Sequence, residues 1–283
     1  MAVSRRTMLR GAAAGALAAG AVAAVPGTAS ATGAGRLWHH RVPKDKISIQ
    51  LYTLRSILEV DLEGTLSALA DIGYRKVELA GTYGRTAAEF RRILDRHHLR
   101  ATSTHVGIDG DINQAIADAK VLGNRKSNVA WASFPTIEEW RTFAARLEAA
   151  GKAYRRAGIE FGYHNHAHEF ERIDGVRPWD VITRTTTRRN VHLEMDLYWV
   201  VTGGADPVRE FYRVAGRVTQ YHVKDRAPDG GFADLGEGTI DFRRIFRANW
   251  PLEVDEYIVE NDQPVDPLEC AATGYNYLSN LRF

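Results

Sequence analysis

The feature that most constrains this 283-residue chain is an alternation that begins at Ile47 and runs almost to the end. Short apolar runs alternate with longer amphipathic segments. The short runs are Ile47–Leu51, Lys76–Leu79, Ala101–His105, Asn128–Ser133, Glu160–Asn165, Val191–Asp196, Val218–Val223 and Tyr257–Glu260. Each reads as a strand, and a segment of helical character follows each one. That alternation predicts βαβ units around a parallel sheet. Eight units in roughly 235 residues predict an α/β chain closed into a (β/α)8 barrel over residues 46–283. The open doubly wound alternative lacks its main support, because no Gly-x-Gly-x-x-Gly follows the first strand.

The helix boundaries carry their own chemistry. Thr86-x-x-Glu89 and Thr136-x-x-Glu139 are capping boxes, in which hydroxyl and carboxylate satisfy the free N–H groups of a first turn. Asp206-Pro207 and Asp266-Pro267 place an N-cap before a proline at the first helical position. Ile137, Trp140, Ala144 and Leu147 recur at helical spacing, which gives that helix one buried face. Gly73 and Gly158 stand where a glycine ends a helix.

The polar residues fall at the strand ends. Glu78 lies near the end of the second strand and His105 ends the third. His164 and His166 end the fifth, Glu194 and Asp196 the sixth, His222 and Lys224 the seventh, and Glu260 the eighth. In a parallel barrel these ends share the face where active sites are built. Residues two apart on a strand share a side, so each pair points inward together. So many buried charges are costly unless they pair or bind a metal. His164, Asp196, His222 and Glu260 form a candidate ligand set. Two imidazoles and two carboxylates suit Mn²⁺, Zn²⁺, Fe²⁺ or Co²⁺, and fit poorly with the all-oxygen preference of Ca²⁺.

Composition excludes some partners. Of the 37 basic residues, Arg5, Arg6 and Arg10 lie in the first 31 positions, which hold no acid; without them 34 bases face 35 acids. A near-neutral body argues against nucleic acid and against an anionic membrane surface. The single cysteine, Cys270, allows no intrachain disulfide and lies in the apolar pattern of the last helix. Residues 1–31 read as a leader: a charged start, an Ala/Gly-rich apolar run, and a small-residue Ala29-Ser30-Ala31 ending. Ser4-Arg5-Arg6-Thr7-Met8-Leu9-Arg10 resembles a twin-arginine signal. The expectation is cleavage after Ala31, a polar lead-in over residues 32–45, and a periplasmic or extracellular protein. The apolar run is too short and glycine-rich for a stable membrane anchor.

Six segments taken in order resemble a known family. They are Ile47-Ser-Ile-Gln-Leu-Tyr-Thr-Leu, Gly162-Tyr-His-Asn-His-Ala-His-Glu-Phe, Leu193-Glu-Met-Asp-Leu-Tyr-Trp, His222-Val-Lys-Asp, Gly236-Glu-Gly-Thr-Ile-Asp-Phe and Ile258-Val-Glu-Asn-Asp. From about Ile47 to Leu281 the chain resembles the sugar phosphate isomerase/epimerases, which are xylose isomerase-like TIM barrels. The resemblance implies a divalent metal on Asp196, His222 and Glu260. It also implies a fourth ligand at the position of His164, where the family usually carries a glutamate; His166 and Glu169 are the alternatives. Epimerases of the family move a proton between two metal-bound glutamates, and only Glu260 of that pair is present. A histidine at this place is similar to the inosose dehydratase branch, which eliminates water beside a ketone.

Lys224 is then a candidate catalytic acid or base beside Glu260, if burial lowers its pKa. The competing roles are a substrate-hydroxyl donor and a salt bridge to Asp225. Glu78, His105, His166 and Trp199 are candidate substrate contacts. Glu78 and His105 also read as a buried ion pair, and Trp199 with Tyr198 as rim packing. Glu237, between two glycines, is a candidate for orienting a neighbour. The mouth lacks a glycine-rich basic cradle for phosphate, so the expected substrate is an unphosphorylated sugar derivative. Three functions are consistent with this sequence: a metal-dependent isomerase or epimerase, a lyase acting beside a ketone, and a secreted sugar-binding protein without catalysis.

Overall fold

The computed structural model describes residues 40–283 except Ala215 and Glu253. The expected leader over residues 1–31 lies outside the described residues, as does the lead-in up to residue 39. Eight parallel strands close into a barrel in the order β1, β8, β7, β6, β5, β4, β3, β2. They are β1 (Ile47–Gln50), β2 (Lys76–Leu79), β3 (Arg100–Val106), β4 (Lys126–Val129), β5 (Glu160–His164), β6 (His192–Asp196), β7 (Val218–Val223) and β8 (Glu256–Val259).

Helices cover the outside: α1 (Leu62–Ile72), α2 (Ala87–Arg96), α3 (Ile112–Leu122), α4 (Ile137–Arg156), α5 (Pro178–Thr185), α6 (Pro207–Arg213), α7 (Phe242–Asn249) and α8 (Pro267–Asn280). Their boundaries follow the chemistry read from sequence. Both capping boxes form, at Thr86 and Thr136. Asp206 and Asp266 accept backbone N–H bonds ahead of Pro207 and Pro267. Gly73 and Gly158 take positive φ at their helix ends.

One strand is displaced from its expected place. The sequence predicts Asn128–Ser133, whereas β4 starts two residues earlier and ends at Val129. Lys126 is the cause of the misreading. It looks like loop, yet it is buried at the barrel floor, where Nζ donates to Glu160 (2.7 Å) and Asp255 (3.0 Å). The chain from Ala130 onward then belongs to the mouth.

The two faces of the barrel wall are packed differently. Outward-facing Val77, Leu79, Phe161, Tyr163, Leu193, Met195, Tyr221, Val223 and Val259 are buried under the helices and belong to the hydrophobic core. The inside is mostly polar, although barrels of this class usually fill it with branched apolar residues. Ser48, Gln50, Glu78, Ser103, Asn128, Glu194, Gln220, His222 and Glu256 are all buried. Amides link them: Asn128 Nδ2 donates to Gln220 Oε1 (3.1 Å), and Gln220 Nε2 donates to Ser103 Oγ (3.1 Å) and Glu256 Oε2 (3.2 Å). Gly162 is required by this crowding. A Cβ there would lie 2.4 Å from Asn128 Oδ1 and 2.5 Å from His192 Nε2.

Candidate metal centre

Asp196 ends β6 and also caps the six-residue helix Leu197–Thr202. Its Oδ1 accepts the backbone N–H of Trp199 (2.9 Å). Capping fixes the carboxylate and turns Oδ2 toward the barrel axis. There Oδ2 is buried without a hydrogen-bond donor, even though Lys224 Nζ lies 3.1 Å away outside hydrogen-bond alignment. Burial pushes the Asp196 carboxyl up to about 6, against the pull of Lys224 and His222.

Around this oxygen stand two carboxylate sets with imidazoles between them. Toward the mouth are Asp196 and Glu260. Deeper are Glu78 and Glu194. His222 bridges the sets: Nδ1 lies 2.5 Å from Glu260 Oε2, while Nε2 lies 2.6 Å from Glu78 Oε2 and 3.2 Å from Glu194 Oε1. His164 repeats the pattern, with Nε2 3.7 Å from Asp196 Oδ2 and Nδ1 3.2 Å from Glu194 Oε1. His164 Nδ1 is also buried without a hydrogen-bond partner. His105 Nε2 completes the deeper set, 2.9 Å from Glu194 Oε1 and 3.4 Å from Glu78 Oε2. Gln50 and Asn128 donate to the same two glutamates.

Two groups converge closely enough to share a cation: Asp196, His222 and Glu260 toward the mouth, and His105, His164, Glu194 and His222 beneath. Asp196 Oδ2 in the mouth-side group and His164 Nδ1 in the deeper one have no hydrogen-bond partner among the described residues, and buried polar atoms of that kind suit a cation. The donor set therefore fits a divalent transition ion. In the mouth-side reading, Glu78 and Glu194 hold the far nitrogen of His222, the outer support that metal-bound histidines require.

The electrostatics divide the histidines. Burial would lower His222, but Glu194, Glu260 and Glu78 hold it well above its ordinary value. His105 is likewise raised against its burial by Glu78 and Glu194. Burial holds His164 well below its ordinary value and His166 down at about 3, so both are neutral.

Lys224 departs from one expectation. Its pKa is raised, not lowered: burial is outweighed by Asp196, Glu260 and Asp262. Nζ lies 2.8 Å from Glu260 Oε2 and 3.0 Å from Asp262 Oδ1. Asp225 is not its partner, since neighbouring residues on a strand point to opposite sides. Asp225 instead accepts the backbone N–H groups of Gly236, Gly238 and Ile240. Glu237 in that loop faces solvent.

The mouth opens into a cleft of about 410 Å³ lined by His105, His164, His166, Lys224, Glu260 and Asp262, with Tyr52 and Trp131 at its rim. Glu169 turns away from it, accepting the Tyr163 hydroxyl (2.7 Å) and the His166 N–H (2.9 Å). Trp199 lies behind His166, ring centroids 5.2 Å apart. Tyr198 packs the rim, stacked on Phe232 with its hydroxyl donating to the Gly230 carbonyl. Glu78 lies below the cleft, tied to His222. Sequence reasoning did not single out Glu194 as a ligand candidate, although it lies two residues from Asp196 on the same side of β6. It also missed Trp131, 61% exposed and edge-on to His166, by placing it inside a strand.

The sequence profile described as xylose isomerase-like TIM barrel matches residues 66–248, ending before Glu260. The inosose dehydratase of Geobacillus kaustophilus is 27% identical over 168 residues, 52% of this chain and 54% of the relative. This chain thus spans about half the length of that curated relative. The rhizopine catabolism protein MocC of Rhizobium meliloti is 26% identical over 272 residues, covering 79% of this chain and 82% of the relative. A solved sugar phosphate isomerase/epimerase from Parabacteroides distasonis superposes with a TM-score of 0.76 at 23% identity, over 90% of this chain and 98% of its own.

Proposed function

This chain belongs to the xylose isomerase-like TIM barrel family, and from that premise we propose that it is a metal-dependent lyase removing water from a polyhydroxylated ketone of the keto-sugar or keto-cyclitol class. One observation carries the reading. The cleft sets an ammonium group, Lys224, held charged by three carboxylates, beside two imidazoles, His164 and His166, held neutral by burial. No second carboxylate stands at the place of His164, so proton exchange between two glutamates has only one of its members. The similarity to inosose dehydratases supports the same reading.

Asp196, His222, Glu260 and His164 would hold a divalent transition ion. Such an ion supplies Lewis-acid polarisation of a ketone oxygen and orientation of the adjacent hydroxyl. His166, neutral and lining the cleft, takes the proton from the carbon beside the ketone. The electron pair forms the carbon–carbon double bond as the β-hydroxyl departs, and Lys224 gives that hydroxyl its proton. The products are an enone and water, and both groups are restored by solvent. Glu260, held well below its ordinary value by Lys224 and His222 despite burial, stays an anion. The cations nearest the mouth are already engaged: Lys224 by its three acids, and Arg55 by the Tyr52 and Asp262 carbonyls. That supports an unphosphorylated substrate. The leader supports export by the twin-arginine route, and a mature secreted chain beginning at Thr32 would bear it out.

The test is incubation of metal-loaded protein with keto-inositols and keto-glucosides in deuterated water. The lyase reading expects a new enone absorbance in the ultraviolet. Deuterium entering the substrate without loss of water would favour isomerisation or epimerisation, a reading supported by the ionised Glu260 at the cleft. Neither signal at saturating metal would sink both.

A further inference from the structure

At the opposite end of the barrel is a second cavity, of about 250 Å³, between the starts of β5 and β6. Arg155 from the end of α4, Glu160 from β5, and Arg188, Arg189 and Asn190 from the turn before β6 line it, with His192 as an inner wall. His192 is buried, and both of its ring nitrogens lack a hydrogen-bond partner. A buried polar group left in this state opposes folding, so the position calls for a partner that the described residues do not supply.

The charge balance points the same way. Arg188 and Arg189 enter no ion pair among the described residues, and Arg155 donates only its Nε, to Asn190 Oδ1 (2.8 Å). Glu160, the acid on the lining, is taken up by Lys126 at 2.7 Å. Glu148 nearby is turned to the Thr187 N–H and to Asn190 Nδ2. Three guanidinium groups thus meet a buried neutral imidazole, and nearly everything offered is a donor. A sugar hydroxyl needs acceptors as well as donors. A ligand made only of acceptors and carrying negative charge matches, and guanidinium forks suit the oxygens of a phosphate.

We propose that this floor cavity binds a phosphate group, either inorganic phosphate or the phosphoryl end of a small ester, independently of the chemistry at the mouth. His192 and Asp196 lie four residues apart on one strand, about 13 Å at the usual rise. A ligand here therefore does not touch the substrate.

The experiment is calorimetric titration of the metal-loaded full chain with inorganic phosphate, glucose 6-phosphate and glucose at constant ionic strength. Phosphate is expected to bind once per chain and glucose not at this cavity. Arg188→Gln with Arg189→Gln is expected to weaken phosphate binding at least about tenfold; both side chains are exposed, so folding is kept. His192→Gln is expected to weaken it too. Tighter binding of glucose 6-phosphate than of phosphate identifies an ester as the occupant, and equal binding identifies the free anion. Phosphate binding that is absent, or that survives the double substitution unchanged, overturns the proposal, the latter because the anion then sits elsewhere.

Discussion

Lys224 and Lys126 are both buried lysines inside one barrel, yet they sit in opposite situations. Lys126, at the floor, reaches Glu160 and Asp255, each with a side chain 58% exposed. Lys224, at the mouth, reaches Asp196, Glu260 and Asp262, whose side chains are 0%, 4% and 18% exposed. At the floor the acids remain solvated with or without their lysine. At the mouth the lysine is one of the cations that make two buried carboxylates and one half-buried one tolerable. Where charge is concealed on both partners, geometry serves chemistry more than stability.

The largest expected effect breaks the mouth side of this contrast. Asp196→Asn removes the oxygen that no protein donor satisfies. Turnover should fall by at least about 10³-fold, the several kcal/mol that a Lewis acid supplies, and metal bound per chain, read by mass spectrometry, should fall with it. Lys224→Ala should lower turnover by about 10²–10⁴-fold, the range of a lost general acid, while the metal stays bound. Full activity in that variant would remove Lys224 from the chemistry.

Stability measurements sharpen the comparison. In chelator at neutral pH, Lys224→Met should cost about 3–5 kcal/mol in denaturant unfolding, because buried charges lose their partner. Lys126→Met should cost about 1 kcal/mol or less, because its partners lie in water. Equal costs would erase the distinction.

A further effect concerns His192 and pH. Burial holds its folded-state pKa near 3, against an ordinary value of 6.5. Below about 6.5 the unfolded chain takes up a proton that the folded chain refuses, so stability declines as pH falls through this window. The loss attributable to His192 is about 2 kcal/mol by about pH 5. His192→Gln should flatten that part of the acid profile in denaturant melts without phosphate. An unchanged slope would mean that the imidazole titrates freely in the fold.

The barrel was legible because its strands announce themselves twice, by apolar alternation and by ionisable residues at their ends. Only β4 slipped, since Lys126 is buried through partners contributed by two distant segments, which sequence spacing does not reveal. In the candidate centre, Asp196, His222 and Glu260 were legible from their strand-end positions, and the structure brings them together. The deeper set was harder. Gln50 and Asn128 are amides in strands and read as ordinary polar residues until closure of the barrel turns them onto Glu78 and Glu194. The charge state of Lys224 was misjudged for a related reason. Asp262 lies beyond the end of β8, and only the fold brings it to 3.0 Å from the ammonium.

At the centre of the account stands the proposal that the mouth of this barrel holds a divalent metal on Asp196, His222 and Glu260, with His164 as the fourth ligand. Titration of metal-free protein with Co²⁺, followed by its visible absorption, tests it most directly. The expected result is saturation at one ion per chain, with the signal abolished in Asp196→Asn and altered in His164→Ala. Absence of any uptake at saturating Co²⁺, or uptake indifferent to both substitutions, would contradict it.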